Sequence, residues 1–64
     1  MKFHEMERII KKDGWKLHNV EGSHYHYTHE IKRGKVTIPY HRGDIDPAIV
    51  KSVLKQAGLK WEVI

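Results

Sequence analysis

Apolar residues recur at helical spacing near the N-terminus of the chain. Phe3, Met6 and Ile10 follow an i, i+3, i+7 pattern, which is typical of a single buried stripe on an α-helix. Gly14 stands where a helix with this stripe would end, and glycine favours the left-handed backbone that follows many helix C-termini. The pattern therefore predicts a first helix over residues 3–13.

Three further segments alternate apolar and polar positions with a period of two, as half-buried β-strands do. They cover residues 15–19, 23–30 and 35–41. The third segment contains Pro39, which cannot donate a backbone hydrogen bond, so we expect this strand at the edge of the sheet. The second segment has His24 and His26 on one face and Tyr25 and Tyr27 on the other, and we expect the tyrosines to pack in the core.

The sequence around residue 46 indicates a second helix. Asp46 is a good N-cap because its carboxylate can accept a hydrogen bond from a free N–H of the first turn. Pro47 suits the first helical position, and Gly58 is placed to end the helix. The residues expected to form the buried stripe of this helix are Ile49, Val50, Val53, Leu54 and Ala57.

The elements follow one another as helix, three strands and helix, with short connections between the strands. This order predicts a single α+β domain over residues 1–64, with α-β-β-β-α topology and a three-stranded antiparallel sheet. Both helices are expected on the apolar face of the sheet. The polar face is then left open.

Loop lengths predict a register for this sheet. A three-residue loop at 20–22 keeps Leu17 on the apolar face, whereas a two-residue loop would place it on the polar face. With a four-residue loop at 31–34, residue 24 pairs with residue 18 on one side and residue 41 on the other. The open face is then predicted to carry successive rows: His18, His24 and His41; Lys16, His26 and Pro39; Thr28 and Thr37; and, at the far end, Lys35, with Arg33 in the loop.

Composition narrows the functional classes. The chain has 64 residues, no cysteine, six histidines and a formal net charge of +4. A positive domain suits a polyanion such as nucleic acid, although the same charge can serve only to keep the surface soluble. The chain contains no long apolar run, so we expect neither a signal peptide nor a membrane span. The lack of cysteine fits a cytoplasmic location.

Several short segments between Glu7 and Leu59 form a recognisable ordered set: Gly14-Trp15, Gly22-Ser23-His24 with Tyr27, Val36-Thr37-Ile38-Pro39, and Ser52-Val53-Leu54-Lys55-Gln56-Ala57-Gly58-Leu59. They give the chain a resemblance to a known family, the HicA (YcfA-like) toxins of toxin–antitoxin pairs. It implies a fold like the double-stranded-RNA-binding domain and an activity as an mRNA interferase. It also implies that His24, in the Gly-Ser-His motif, is the catalytic histidine and that a HicB antitoxin covers the active face.

The side chains on the open face fit metal-independent RNA cleavage. RNA supplies its own nucleophile, the 2′-OH, so an enzyme needs a base, an acid and a cation near the phosphate. We assign His24 as general acid or base, with His41 or His18 as the complementary group. The candidate phosphate contacts are Lys16, His26, Arg33 and Lys35. No metal or other cofactor is expected, since no carboxylate cluster suited to magnesium is evident and capping accounts for Asp46.

Three other interpretations remain open at this stage. On spacing alone, His24 is more often a plain surface histidine on an antiparallel strand. The chain could also be a non-catalytic RNA-binding module that holds phosphates with its lysines and arginines. The predicted histidine row could instead bind zinc. Two further residues are assigned only in part: His29 is expected to face inward as a hydrogen-bonding side chain, and Trp61 could be either a packing or a contact residue.

Overall fold

The computed structural model describes residues 1–60. Its elements are α1 (Phe3–Lys12), β1 (Lys16–Glu21), β2 (His24–Thr28), β3 (Val36–Pro39) and α2 (Pro47–Gln56). This order confirms the predicted α+β arrangement, with strand ends that differ from prediction by up to two residues. Residue Trp61 lies outside the described part of the chain. No helix within residues 1–60 is both long and apolar enough to cross a membrane.

Both helices end in the same hydrogen-bonded turn. After α1, the N–H of Trp15 donates to the carbonyl of Ile10 at 3.1 Å and that of Gly14 to Lys11 at 3.0 Å. This is the Schellman pattern, which requires a left-handed residue after the helix, and Gly14 has a φ of +108°. The equivalent bonds after α2 place Gly58 in the same role. The two predicted helix stops are confirmed.

The N-terminus of α2 is also capped as predicted. The side chain of Asp46 accepts a hydrogen bond from the N–H of Ala48 at 2.8 Å, and Pro47 is the first residue of the helix. A carboxylate at this position also interacts favourably with the positive end of the helix dipole.

The core lies between the helices and one face of the sheet. Its buried residues are Phe3, Met6, Ile10, Trp15, Tyr27, Val36, Ile38, Ile45, Val50, Val53, Leu54 and Ala57. They come from both helices, so both helices pack on the same sheet face, as predicted. Tyr27 is fully buried and Tyr25 packs edge-on against Phe3, with ring centroids 4.8 Å apart. The expectation for Ile49 was wrong, because its side chain lies at the margin of the core and is exposed.

The strands are ordered β1-β2-β3, with both pairings antiparallel. Pro39 therefore lies on an edge strand, as expected. The other edge, β1, has every residue exposed. Leu17 and Val20 are 44% and 45% exposed even though they share the helix-bearing face with the tyrosines, because the helices contact β3, at the opposite edge of the sheet.

The predicted register was wrong. Strands β1 and β2 are joined by the two-residue turn Gly22-Ser23, and Glu21 pairs with His24. A β-bulge at His18 adds one residue between Leu17 and Asn19. A bulge shifts the alternation by one position, so Leu17 stays on the helix-bearing face despite the short turn. The prediction assumed an unbroken ladder and therefore rejected this turn.

The turn itself is of the kind that hairpins favour. Gly22 has a φ of +60°, whereas Ser23 has a negative φ. A positive φ at the first central residue alone is the signature of a type II′ turn, which takes glycine there.

The register between β2 and β3 was also wrong, by two residues. His24 pairs with Pro39 and His26 pairs with Thr37. The connection between these strands covers residues 29–35 and is longer than the predicted four-residue loop. A shift of two residues keeps each side chain on its predicted face, so the division into apolar and polar faces survives.

This connection binds the C-terminal ends of both helices. His29 Nδ1 accepts hydrogen bonds from the N–H groups of Ile31 and Lys32 at 3.0 and 3.1 Å. Its Nε2 therefore carries the proton, which it donates to the Asp13 carbonyl at 2.7 Å. Lys32 Nζ donates to the Asp13 carboxylate at 2.6 Å and to the Ala57 carbonyl at 3.0 Å. His29 is thus a partly buried hydrogen-bonding residue, as expected.

Candidate active site on the open sheet face

The sheet face opposite the helices contributes no residue to the buried core. We call it the open face and define it by the pairing of the strands. Its side chains are Lys16, Asn19, Glu21, His24, His26, Thr28, Thr37 and Pro39.

His24 is exposed at the turn end of the open face. It begins β2, with Glu21 opposite it on β1 and Pro39 opposite it on β3. Among residues 1–60, no hydrogen-bond partner is found for its ring. The nearest described aromatic neighbour on this face is His26, with ring centroids 6.5 Å apart. His24 is therefore an imidazole that solvent and a ligand can reach.

His26 is held on both sides. Its Nδ1 lies 2.9 Å from the hydroxyl oxygen of Thr37, which is its cross-strand partner. Its Nε2 lies 3.1 Å from a carboxylate oxygen of Glu21. An ionised carboxylate only accepts hydrogen bonds, so Nε2 carries a proton. Only 13% of the His26 side chain is exposed, compared with 71% for Glu21.

The predicted row of three histidines does not form. His18 is the bulged residue of β1 and has no direct partner on β2. His41 lies two residues beyond Pro39, and the hydrogen bond from the Tyr40 N–H to the Ser23 carbonyl places it beside the turn rather than opposite His24. Both are exposed. His41 Nδ1 accepts the N–H of Gly43 at 3.0 Å, which leaves Nε2 as the nitrogen that can reach a ligand.

The cations of the site lie towards the other end of the sheet. Lys16 is opposite Thr28, and its Nζ is 3.2 Å from a carboxylate oxygen of Glu30. Arg33 and Lys35 are exposed in the connection before β3. The structure thus places histidines at the turn end and cations at the opposite end. Lys35 and Arg33 were predicted there, whereas the predicted position of Lys16 beside His26 was wrong.

Sequence reasoning missed the contribution of Glu21, which it treated as a loop residue. The two-residue turn brings Glu21 into β1 and onto the open face. Diagonal neighbours on adjacent strands are within reach of a long side chain, and Glu21 uses this position to bind His26. The Gly22-Ser23 pair was the available signal, because glycine followed by serine is a common two-residue hairpin connection.

The zinc interpretation required His18, His24 and His41 in one row, and that row is not present. In the part of the chain that is described, no group of three or more His, Cys, Asp or Glu side chains could hold a metal ion.

The fold and the open face define a class: small basic α+β domains with a sheet covered by helices on one side only. Comparison with known families gives the particular assignment. Residues 3–59 match the sequence model of a family described as the HicA toxin of bacterial toxin–antitoxin. The chain therefore belongs to the HicA toxin family, as its resemblance indicated. Among curated proteins, no significant match was found. Membership makes the protein the toxin of a toxin–antitoxin pair and implies an antitoxin partner.

Proposed function

We propose that this toxin is a metal-independent endoribonuclease that cleaves mRNA with His24 in the cytoplasm. The observation that carries the proposal is the position of His24: an exposed imidazole on a sheet face without helices. The histidine belongs to the Gly-Ser-His segment of a chain in the HicA toxin family. A net charge of +4 favours a polyanionic substrate.

The proposed reaction is a transfer within the RNA backbone. The 2′-oxygen attacks the neighbouring phosphorus while a base removes its proton, and the bond from phosphorus to the 5′-oxygen breaks as an acid protonates that oxygen. The products are a 2′,3′-cyclic phosphate and a 5′-hydroxyl. An imidazole can serve as either base or acid near neutral pH, and such help is worth roughly 10²–10⁴ in rate.

His24 takes one of these two roles, and His41 or His18 takes the other. His41 is open to a ligand through Nε2, and His18 is exposed on the bulge. Separate alanine variants at the two positions distinguish them. The residue that acts with His24 shows the larger loss of kcat and removes one limb of the pH–rate profile.

The phosphates on either side of the cleaved bond are bound by the cations of the site. Lys16, Arg33 and Lys35 are exposed, and His26 lies beside His24. Positive charge near the phosphoryl oxygens stabilises the transition state. Each phosphate contact also makes affinity fall with salt concentration.

The antitoxin partner is of the HicB type, and the open face is where it binds. A partner that covers His24 blocks RNA access and stabilises the toxin by mass action. An acidic surface on this partner would associate rapidly with a +4 domain. Co-expression with the adjacent reading frame should relieve growth arrest. Persistent arrest in the presence of a soluble adjacent product would refute the pairing.

The central test is RNA cleavage by purified protein in EDTA. We expect cleavage by the wild type and products with cyclic or 3′-phosphate ends. His24→Ala should lower the rate by at least about 10²-fold. His4→Ala is the matched control, because His4 is an exposed histidine on α1, and it should retain full activity.

Two results would contradict the proposal. Loss of cleavage in EDTA, restored by a divalent ion, would refute metal independence. Salt-sensitive binding without strand scission would favour the non-catalytic RNA-binding module instead.

A further inference from the structure

Glu21 places a carboxylate inside the proposed RNA site. It is the last residue of β1, one position before the turn, and it lies on the open face opposite His24. Its side chain leans diagonally to His26, where the carboxylate oxygen is 3.1 Å from Nε2. A negative charge at this point repels the backbone of an incoming nucleic acid.

The hydrogen bonds of His26 show what this carboxylate excludes. Thr37 occupies Nδ1 and Glu21 occupies Nε2, so both ring nitrogens have partners. Thr37 lies on the neighbouring strand as the direct partner of His26, and its contact with Nδ1 is partly buried. Glu21 is mostly exposed, so its side chain can rotate into water. A phosphate oxygen can therefore reach His26 only by replacing the carboxylate oxygen.

We infer that Glu21 is a resident anion in a phosphodiester subsite formed by His24 and His26. The inference rests on the proposed function and adds a role for Glu21, to which the proposed function assigns none. A nucleic-acid phosphate takes the place of the carboxylate oxygen and accepts the Nε2 proton of His26. Glu21 thereby weakens RNA binding in the free toxin.

The chemistry of the two anions makes this exchange feasible. Carboxylate and phosphate oxygens both accept charge-assisted hydrogen bonds from an imidazole N–H at similar distances. The Glu21 side chain is 71% exposed, so water replaces its hydrogen bond to His26 when it leaves, and little is lost. The two imidazoles, with centroids 6.5 Å apart, are close enough to contact different oxygens of one phosphate group.

The experiment measures binding of a 2′-O-methyl RNA oligonucleotide, which lacks the free 2′-OH and cannot be cleaved by the proposed route. Glu21→Gln keeps the shape of the side chain and removes its charge. We expect it to tighten binding by about two- to five-fold, which is about the net worth of one such hydrogen bond. Glu5→Gln is the matched control: Glu5 is an exposed glutamate on α1, on the other side of the sheet, and should change affinity far less.

Two further measurements assign the effect to His26. In a His26→Gln background, Glu21→Gln should no longer tighten binding, because the site that the carboxylate occupies is lost. In the wild type, the ring nitrogen resonances of His26 should shift as the oligonucleotide is added. With cleavable RNA, Glu21→Gln should lower KM.

Several outcomes would overturn the inference. Weaker binding or a lower kcat in Glu21→Gln would show that Glu21 positions His26 for catalysis. An equal gain in Glu5→Gln would show an effect of net charge only, and a gain that persists without His26 would place the effect elsewhere.

Failure of the inference is distinguishable from failure of the proposed function. Since the oligonucleotide cannot be cut, tighter binding by Glu21→Gln supports the subsite even if no variant cleaves RNA. Conversely, cleavage that depends on His24, together with unchanged binding in Glu21→Gln, would refute the subsite alone.

Discussion

Gly14→Ala tests how strongly the end of α1 depends on the connection between β2 and β3. Gly14 has a φ of +108°, and a Cβ placed on it would lie 2.6 Å from His29 Nε2. A clash with a flexible side chain is relieved cheaply. His29 is not flexible, because three hydrogen bonds hold its ring and the ring packs against Trp15 with centroids 5.1 Å apart.

The expected loss has two parts. The first is the backbone strain of a left-handed alanine, about 1–2 kcal/mol. The second is displacement of the His29 ring, which breaks at least the bond to the Asp13 carbonyl and adds about 1–2 kcal/mol. Gly22→Ala is the comparison without a clash, because Gly22 also has a positive φ, +60°, and no atom lies within 4 Å of its Cβ position. The whole domain has a free energy of unfolding of about 3–10 kcal/mol, so the loss at Gly14 is a large share.

Urea and thermal unfolding followed by circular dichroism give the comparison. Gly14→Ala should melt roughly 4–16 °C below Gly22→Ala, from about 4–8 °C per kcal/mol for a domain of this size. In a His29→Ala background the difference between the two glycine variants should disappear, which is a double-mutant cycle for the clash. Equal melting temperatures for the two single variants, or no coupling to His29, would refute the reasoning.

Two further predictions concern polar contacts of the fold. Lys32→Met should lower the free energy of unfolding by about 1–2 kcal/mol, because it removes the hydrogen bonds to a half-buried carboxylate and to a helix carbonyl. Lys16→Met removes only an exposed ion pair and is the control in urea unfolding, where it should change the free energy of unfolding much less. Equal losses in the two variants would contradict this explanation. Burial raises the pKa of Tyr27 far above its ordinary value near 10, and the hydrogen bond to Glu7 adds to the effect. The unfolded chain therefore releases the Tyr27 hydroxyl proton from about pH 10 upwards, while the folded chain keeps it. The free energy of unfolding is thus unaffected below pH 10 and falls above it by up to about 1.4 kcal/mol per pH unit. Unfolding of wild type and Tyr27→Phe between pH 9 and 11 should show a shallower decline in the variant, and parallel declines would refute the assignment.

The element order and most of the core could be predicted because they depend on local patterns. The apolar stripe of α1, the Asp46 cap and the glycine after each helix are all visible within a few residues of sequence. The core positions that could not be predicted depend on tertiary packing. Ile49 fits the helical stripe by spacing, yet its side chain is 37% exposed.

The register of the sheet could not be predicted, for two reasons. The pairing of β1 with β2 depends on the two-residue turn, which sets the partners of residues 19–21, and on the bulge at His18, which shifts those of residues 16–17. The pairing of β2 with β3 depends on a connection that is longer than four residues. His24 and His26 were placed on the correct face because the alternation within β2 decides their face, whereas the neighbours of each histidine were not predicted correctly.

The contact between Glu21 and His26 follows from that register and was missed with it. The distance between them is set by the short turn, and sequence reasoning preferred a longer one. One part of the candidate site could therefore be predicted and the other could not. The alternation and the family resemblance identified the face that carries His24 and His26, whereas only the structure shows which side chains contact these histidines.

The sheet has one face that determines folding and another that contributes nothing to the buried core. Substitutions can therefore accumulate on the open face one at a time without destabilising the fold. Such a domain can acquire new ligand preferences, or lose its reactivity altogether, while its melting temperature stays nearly constant. Lineages of this small protein are free to diverge on one surface while the other surface keeps them folded.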